Sequence, residues 1–311
     1  MMKLAFVFPG QGSQSVGMMA AYGDQAVIRE TFAEAADVLH LDLWRMISEG
    51  PEEELNLTIH TQPAMLAAGV ACYRLWRSMG GNQPDFMAGH SLGEYTALTC
   101  AGALEFADAL RLVRLRAEAM QAAVPEGQGG MIAILGMDDD AVRTLCEEAA
   151  GDEVLAAVNF NSPGQVVIAG HRAAVERAMA LARERGAKRA LPLPVSVPSH
   201  CILMKPAADR LSQALASITI RPPTVRVIHN ADVAEHTEAD AIRSTLVRQL
   251  YQPVRWVETV RLMGAAGVQL IAECGPGKVL TGLNKRILGE VPALALTDMA
   301  SMAQALQQTG N

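Results

Sequence analysis

The chain is predicted to fold as an α/β protein in two parts, a large domain on a short parallel sheet and a smaller unit of βαββαβ order inserted into it. Three observations carry this expectation. The wholly apolar run Leu4–Phe8 stops at Pro9-Gly10, as a strand covered on both faces does. A second apolar run, 86–88, enters Gly89-His90-Ser91-Leu92-Gly93 and leaves it as a helix-forming segment, so the pentapeptide reads as strand, sharp turn, helix. Between about residues 125 and 195, four short apolar runs alternate with two helical patterns.

A length of 311 residues suits a large domain with a small companion. Half the residues are hydrophobic and 19% are charged, the mix of a globular enzyme. A net charge of −7, with three Trp, four Tyr and six Phe and no basic patch among them, argues against nucleic acid. No window approaches the roughly 18 apolar residues of a membrane span, and the N-terminal run is too short for a secretory signal, so the cytoplasm is the expected location. Cys72, Cys100, Cys146, Cys201 and Cys274 are scattered and never in Cys-X-X-Cys spacing, which suggests buried thiols rather than disulfides or a metal.

Taken in order, the strand Leu4–Phe8 runs into Pro9-Gly10-Gln11-Gly12, and helical spacing follows at 25–40 and at 63–79, with Pro63 suited to a first turn. A helix is expected at 105–123. The next elements are a strand at 130–135, a capped helix at 138–150, a strand at 154–158, a turn at 161–164 and a strand at 165–169. A helix at 173–185 ending at Gly186 and a strand at 189–195 complete the unit. That order is ferredoxin-like, which divides the chain into a large domain (1–124 and 196–311) and a small one (125–195). Beyond it the patterns give a helix at 204–216, a strand at 225–230, helices at 241–250 and 256–266, and a strand at 268–273. With the serine turn, the large domain is expected to be α/β-hydrolase-like.

A serine on such a turn is held at a strained backbone position with its hydroxyl exposed, as a nucleophile requires. The loops at Gly10-Gln11-Gly12 and Gly277-Lys278 do not suit phosphate binding, because Ser15, Ala272 and Val279 stand where those motifs need other residues. The Gln11 N–H could instead face a developing oxyanion at the carboxyl ends of the strands. A base is needed, and histidine suits it. His40, His60, His171 and His236 fall in polar contexts and read as surface residues; His90 should point away from its neighbour Ser91. His200, on an irregular return from the small unit, and His229, at a strand end, both stay open.

Arg116 is the sharpest clue. It projects into the middle of the apolar arc formed by Phe106, Ala109, Leu112, Val113, Ala119 and Met120, while Arg111, Arg114 and Glu118 lie opposite. An inward guanidinium needs an anion, which is either an internal carboxylate or a substrate carboxylate held by its fork of donors.

Several stretches together resemble the malonyl-CoA:acyl carrier protein transacylase family over essentially the whole chain: Phe8-Pro9-Gly10-Gln11-Gly12-Ser13-Gln14, Gly89-His90-Ser91-Leu92-Gly93-Glu94, Arg116, Asn159-Phe160-Asn161-Ser162-Pro163 with Gln165, Pro198-Ser199-His200, Gln249, and Glu273-Cys274-Gly275-Pro276-Gly277. The resemblance implies that Ser91 is the nucleophile and His200 its base, with the Gln249 carbonyl in place of a third carboxylate. It implies an oxyanion hole from the N–H groups of Gln11 and Leu92, and a malonyl site at Arg116 with His90, Met120, Asn159 and Asn161. The substrates would be malonyl-CoA and acyl carrier protein, with no cofactor, and the enzyme a monomer. In relatives within polyketide synthases the residue before the histidine tends to be Phe for malonyl and Ser for methylmalonyl; here it is Ser199, a pattern that stand-alone enzymes of this kind share while using malonyl. An acidic carrier would meet a local basic patch, for which Arg183, Arg185, Lys188, Arg189, Lys285 and Arg286 are available. The alternative is an α/β-hydrolase-type serine esterase or thioesterase, which calls for an acidic residue between serine and histidine and a His-Gly-Gly-Gly type loop.

Overall fold

The computed structural model of the chain describes residues 2–195 and 197–310; Met1, Asn311 and Ser196, where the sequence places the return to the large domain, lie outside the described residues. Among the described residues nine strands form, β1 Leu4–Phe8, β2 Phe86–Gly89, β3 Gly129–Leu135, β4 Leu155–Ser162, β5 Gln165–His171, β6 Arg189–Pro192, β7 Arg226–Ile228, β8 Leu270–Cys274 and β9 Ala293–Leu296. They make a five-stranded sheet in the order β7-β2-β1-β8-β9, whose pairings are all parallel, and a four-stranded sheet in the order β4-β5-β3-β6, whose pairings are all antiparallel.

The continuous apolar run of β1 has the expected cause. Leu4, Phe6 and Phe8 pack into one core with the long helix Thr58–Ser78, while Ala5 and Val7 face a second core built on Trp256, Val260 and Met263 from the helix Trp256–Ala265. In the antiparallel sheet the alternation divides the faces. Ile132, Ile134, Val166 and Ile168 pack under the helices Asp139–Ala150 and Arg172–Glu184, and Met131, Val158, Val167 and Ala169 turn the other way. Asp138 caps the first of these helices, accepting from Ala141 N–H.

Several expected boundaries move. The second helix starts at Thr58 rather than 63, so Pro63 lies in its second turn; Thr61 Oγ1 donates to the carbonyls of Leu55 and Leu57 there. β4 runs on to Ser162, which narrows the expected turn to Pro163-Gly164 and puts Asn159 and Asn161 on a strand. Register shifts after Ala157 and Phe160 break the alternation that would have revealed this. β6 ends at Pro192, not 195, and β7 is three residues long, leaving His229 and Asn230 just beyond it. The helices Leu43–Glu49, Glu52–Leu55, Val279–Ile287 and Met299–Thr309, and the edge strand β9, add to the predicted elements.

The serine turn is built by close backbone approach. A Cβ on Gly89 would sit 1.8 Å from the Gly93 carbonyl carbon, and one on Gly93 would sit 2.0 Å from the Phe8 carbonyl oxygen. β1, β2 and the helix Gly93–Cys100 thus meet with no side chain between them. Gly93→Ala is therefore expected to cost about 3 kcal/mol or more, because backbone rather than a flexible side chain must move; calorimetry showing an unchanged melting temperature would contradict this.

Candidate active site

Ser91 has φ 52°, the left-handed conformation expected of a strained turn. Asn230, just past β7, secures it from both sides. Its Oδ1 accepts from Ser91 N–H at 2.8 Å, and its Nδ2 donates to the Gly89 carbonyl at 2.7 Å. The Ser91 hydroxyl lies 2.7 Å from His200 Nε2.

His200 also has positive φ, 63°, and its N–H donates to the Leu250 carbonyl at 3.0 Å. Its Nδ1 lies 2.7 Å from the Gln249 carbonyl, which can only accept, so Nδ1 carries the proton and Nε2 turns a lone pair to Ser91. Gln249 ends the helix Ala239–Gln249, and carbonyls of a last turn have no intrahelical partner. The acceptor is therefore supplied by helix geometry. The position opposite Nδ1, where a hydrolase triad would hold a carboxylate, is taken by this backbone oxygen. His229, the rival base, is buried elsewhere with Nδ1 2.7 Å from Glu94 Oε1. Of the four histidines read as surface residues, His40 is exposed. His60, His171 and His236 are half-buried and bonded to Glu54 O, Val154 N and Asp232 Oδ2.

Arg116, on the helix Phe106–Ala123, is buried as its place in the apolar arc implies. Among the described residues no carboxylate lies within ion-pair distance of it. Nη1 donates to Gln62 Oε1 at 2.8 Å, and Nη2 to Gln249 Oε1 at 3.0 Å and to Ser91 Oγ at 3.1 Å; Nε has no hydrogen-bond partner among the described residues. The Tyr95 ring centroid is 5.3 Å from the guanidinium carbon. Burial pulls the arginine pKa below its usual range, with Tyr95 and Glu94 offsetting part of this. Gln249 Nε2 donates to the Ser91 carbonyl and to Glu94 Oε2, both at 2.9 Å, and Glu94 Oε2 also accepts from Asn230 N–H at 3.0 Å.

A cleft opens over these groups. Gln11, Gln62, His90, Ser91, Leu92, Arg116 and His200 line it together with the apolar Met120, Met131, Leu193, Val195 and Val197. Ser199 and Asn159 also line it. Among the described residues neither Gln11 N–H nor Leu92 N–H has an acceptor. The two loops touch, since a Cβ on Gly10 would lie 2.5 Å from the His90 carbonyl oxygen and 3.7 Å from Leu92 N. Asn161 borders the outward continuation of the cleft and accepts from His90 Nε2 at 2.8 Å, and burial lowers the His90 pKa. Met120 Sδ accepts from Gln62 Nε2 at 3.7 Å.

The sequence reading assigned nothing to Gln62, Asn230 and the Glu94 side chain. A lone neutral amide carries no motif, and Gln62 announces itself only as a polar residue on the buried side of its helix. Of the basic residues, Arg185 pairs with Glu148. Arg286 donates to Gln165 Oε1 at 2.6 Å and borders a surface depression with Lys188. No helix among the described residues is long and apolar enough to cross a membrane.

Comparison with known proteins agrees over the whole length. The acyl transferase domain family matches residues 5–304. The malonyl CoA-acyl carrier protein transacylase of Escherichia coli (strain K12) is 59% identical over 308 residues, covering 99% of this chain and all of that protein. The solved malonyl CoA-acyl carrier protein transacylase of Coxiella burnetii superposes with a TM-score of 0.98 at 49% identity, over 100% of this chain and 98% of that one. A malonyl-transacylase solved in complex with a type II PKS acyl-carrier protein gives 0.97 at 55% identity, over 98% and 99% of the two chains.

Burial, and then the nearby charge of Arg116, push the His200 pKa down to about 3, with the Gln249 carbonyl acting in the opposite sense. The imidazole is thus a neutral base across the physiological range. Acylation of Ser91 by a neutral reagent should stay level from about pH 8 to about pH 5, an interval over which an imidazole titrating near 6.5 would lose roughly thirtyfold. A pH profile with a break near 6.5 would contradict this. The folded state also binds fewer protons than the unfolded one between about pH 6.5 and about pH 3, so acidification through that interval lowers stability.

Proposed function

The chain belongs to the acyl transferase domain family, and we propose that it transfers the malonyl group of malonyl-CoA to the phosphopantetheine thiol of acyl carrier protein, through an ester on Ser91, for fatty-acid synthesis. One observation carries the substrate assignment. Arg116 is buried beside the Ser91 hydroxyl with uncharged hydrogen-bond partners, and the nearby Glu94 offsets its charge only in part, which leaves it suited to a carboxylate on the acyl group.

In the first half-reaction Ser91 Oγ attacks the thioester carbon and its proton passes to His200 Nε2. Negative charge on the carbonyl oxygen is met by the N–H groups of Gln11 and Leu92, the latter at the head of the helix Gly93–Cys100. The C–S bond breaks, and the CoA thiolate leaves with the proton from Nε2. In the second half the carrier's thiol gives its proton to Nε2 and attacks the ester, and the proton returns to Ser91 as the C–O bond breaks. Throughout, the Gln249 carbonyl holds Nδ1–H, and as the end of a helix it favours the transient imidazolium. Met120, Met131, Leu193, Val195 and Val197 keep the ester dry, which separates a transferase from a hydrolase. His90, Asn159 and Asn161 shape the acyl and thioester path.

In this reading residues 1–124 and 196–311 are an α/β-hydrolase-like domain and 125–195 a ferredoxin-like one, for which the order β4-β5-β3-β6 is the support. The enzyme needs no cofactor and works as a cytoplasmic monomer. The depression bordered by Lys188 and Arg286 offers an acidic carrier a basic contact.

Mixing the protein with malonyl-CoA should add the mass of one malonyl group, on Ser91 and not in Ser91→Ala; absence of adduct and of transfer would sink the proposal. Arg116→Ala should lose malonyl transfer by about 100-fold or more, the usual loss when one partner of a buried charge pair is removed, while acetyl transfer is spared or improved. Equal losses for malonyl- and acetyl-CoA would make Arg116 merely structural.

A further inference from the structure

We propose that Arg116 restrains the nucleophile in the empty site, and that the carboxylate of the arriving acyl group releases Ser91 by taking the donor that Arg116 gives to its hydroxyl. This rests on the reading that Arg116 receives the substrate carboxylate, and it adds a role in rate to a role in binding.

The geometry of the empty site is the starting point. Arg116 Nη2 is shared between Ser91 Oγ at 3.1 Å and Gln249 Oε1 at 3.0 Å, Nη1 is on Gln62 Oε1 at 2.8 Å, and Nε is buried with no hydrogen-bond partner among the described residues. Every acceptor is a neutral oxygen. A carboxylate makes hydrogen bonds to a guanidinium roughly twice as strong as these, so an arriving anion draws the fork off its present acceptors. Gln62 and Gln249 lose only neutral bonds in the exchange, and Ser91 loses its restraint.

That restraint acts on the reacting atom in two ways. The serine proton faces His200 Nε2 at 2.7 Å, so the bond from Arg116 occupies one of the two lone pairs on Oγ and sets a full positive charge beside the other. The same charge stands near His200, where, after burial, it is the next cause of the lowered basicity of the imidazole. A substrate carboxylate on Arg116 cancels the charge for both groups. Serine and base are then at their most reactive only with a carboxyacyl group in place. An acetyl group, which has no anion to offer, meets a serine that is still held. Discrimination therefore falls on the acylation rate as well as on affinity, where it is most effective.

The test supplies acyl group and anion as separate molecules. Native protein is treated with p-nitrophenyl acetate, a neutral acetyl donor, and the p-nitrophenolate burst from Ser91 is followed as formate replaces chloride at constant ionic strength, with Ser91→Ala as blank. The expected result is a saturable, severalfold rise in the acetylation rate with formate. In Arg116→Ala the rate without formate should exceed that of the native protein, and the response to formate should vanish. No change, or slowing, of the native enzyme by formate would overturn the proposal, and this arm needs no variant to fold. If malonyl-CoA still labels Ser91 in that case, the proposed transfer stands without the restraint. If malonyl-CoA fails to label it, the functional reading itself is wrong.

Discussion

Gln249 is where the backbone and side-chain networks of the site meet, and nearly every polar group it has is engaged. Its carbonyl accepts from His200, its side-chain oxygen from Arg116, and its amide nitrogen donates to both Ser91 O and Glu94. One residue thereby sets the tautomer of His200, the direction of the Arg116 guanidinium and the seat of Ser91. The neutrality of these contacts matters as much as their geometry. A helix-terminal carbonyl orients the imidazole without adding a charge to the site.

Glu94 stands one amide further back and satisfies His229, the Asn230 backbone and Gln249 together. A carboxylate buried under a reactive turn has to be fully hydrogen-bonded to be tolerated. Here the same bonds fix Asn230, which in turn grips the turn on either side of the serine. A second buried carboxylate, Glu273, meets the same requirement at the head of the helix Val279–Ile287, where it accepts from Leu280 N, Thr281 N and Thr281 Oγ1.

Features encoded over short stretches were legible in the sequence. β1, the serine turn, the capped helix after Asp138 and the inward face of Arg116 all follow from local pattern. Residues whose meaning is tertiary were not. Nothing local separates His200 from His229: His229 follows β7, the strand paired with β2, yet its ring turns to Glu94, while His200 reaches Ser91 from a loop. Gln62 matters only because its helix crosses the one bearing Arg116. Asn159 was hidden by the register shifts of β4, and β9 by being a short edge strand held by one neighbour. The resemblance supplied what spacing could not, because it carries tertiary information that local patterns lack.

Two backbone hydrogen bonds join β4 to the segment around Val254 in the other part of the chain. Phe160 N–H donates to Val254 O at 3.0 Å and Val254 N–H to Val158 O at 2.8 Å, on either side of Asn159. Asn159 thus sits between the two backbone bonds that tie β4 to Val254. Prising the walls of the cleft apart at this point would strip two backbone bonds in a place where Val158 and Val254 are shielded from water. Opening the cleft beside Asn159 therefore carries the cost of those two bonds, in addition to the His90–Asn161 hydrogen bond that also spans the two parts.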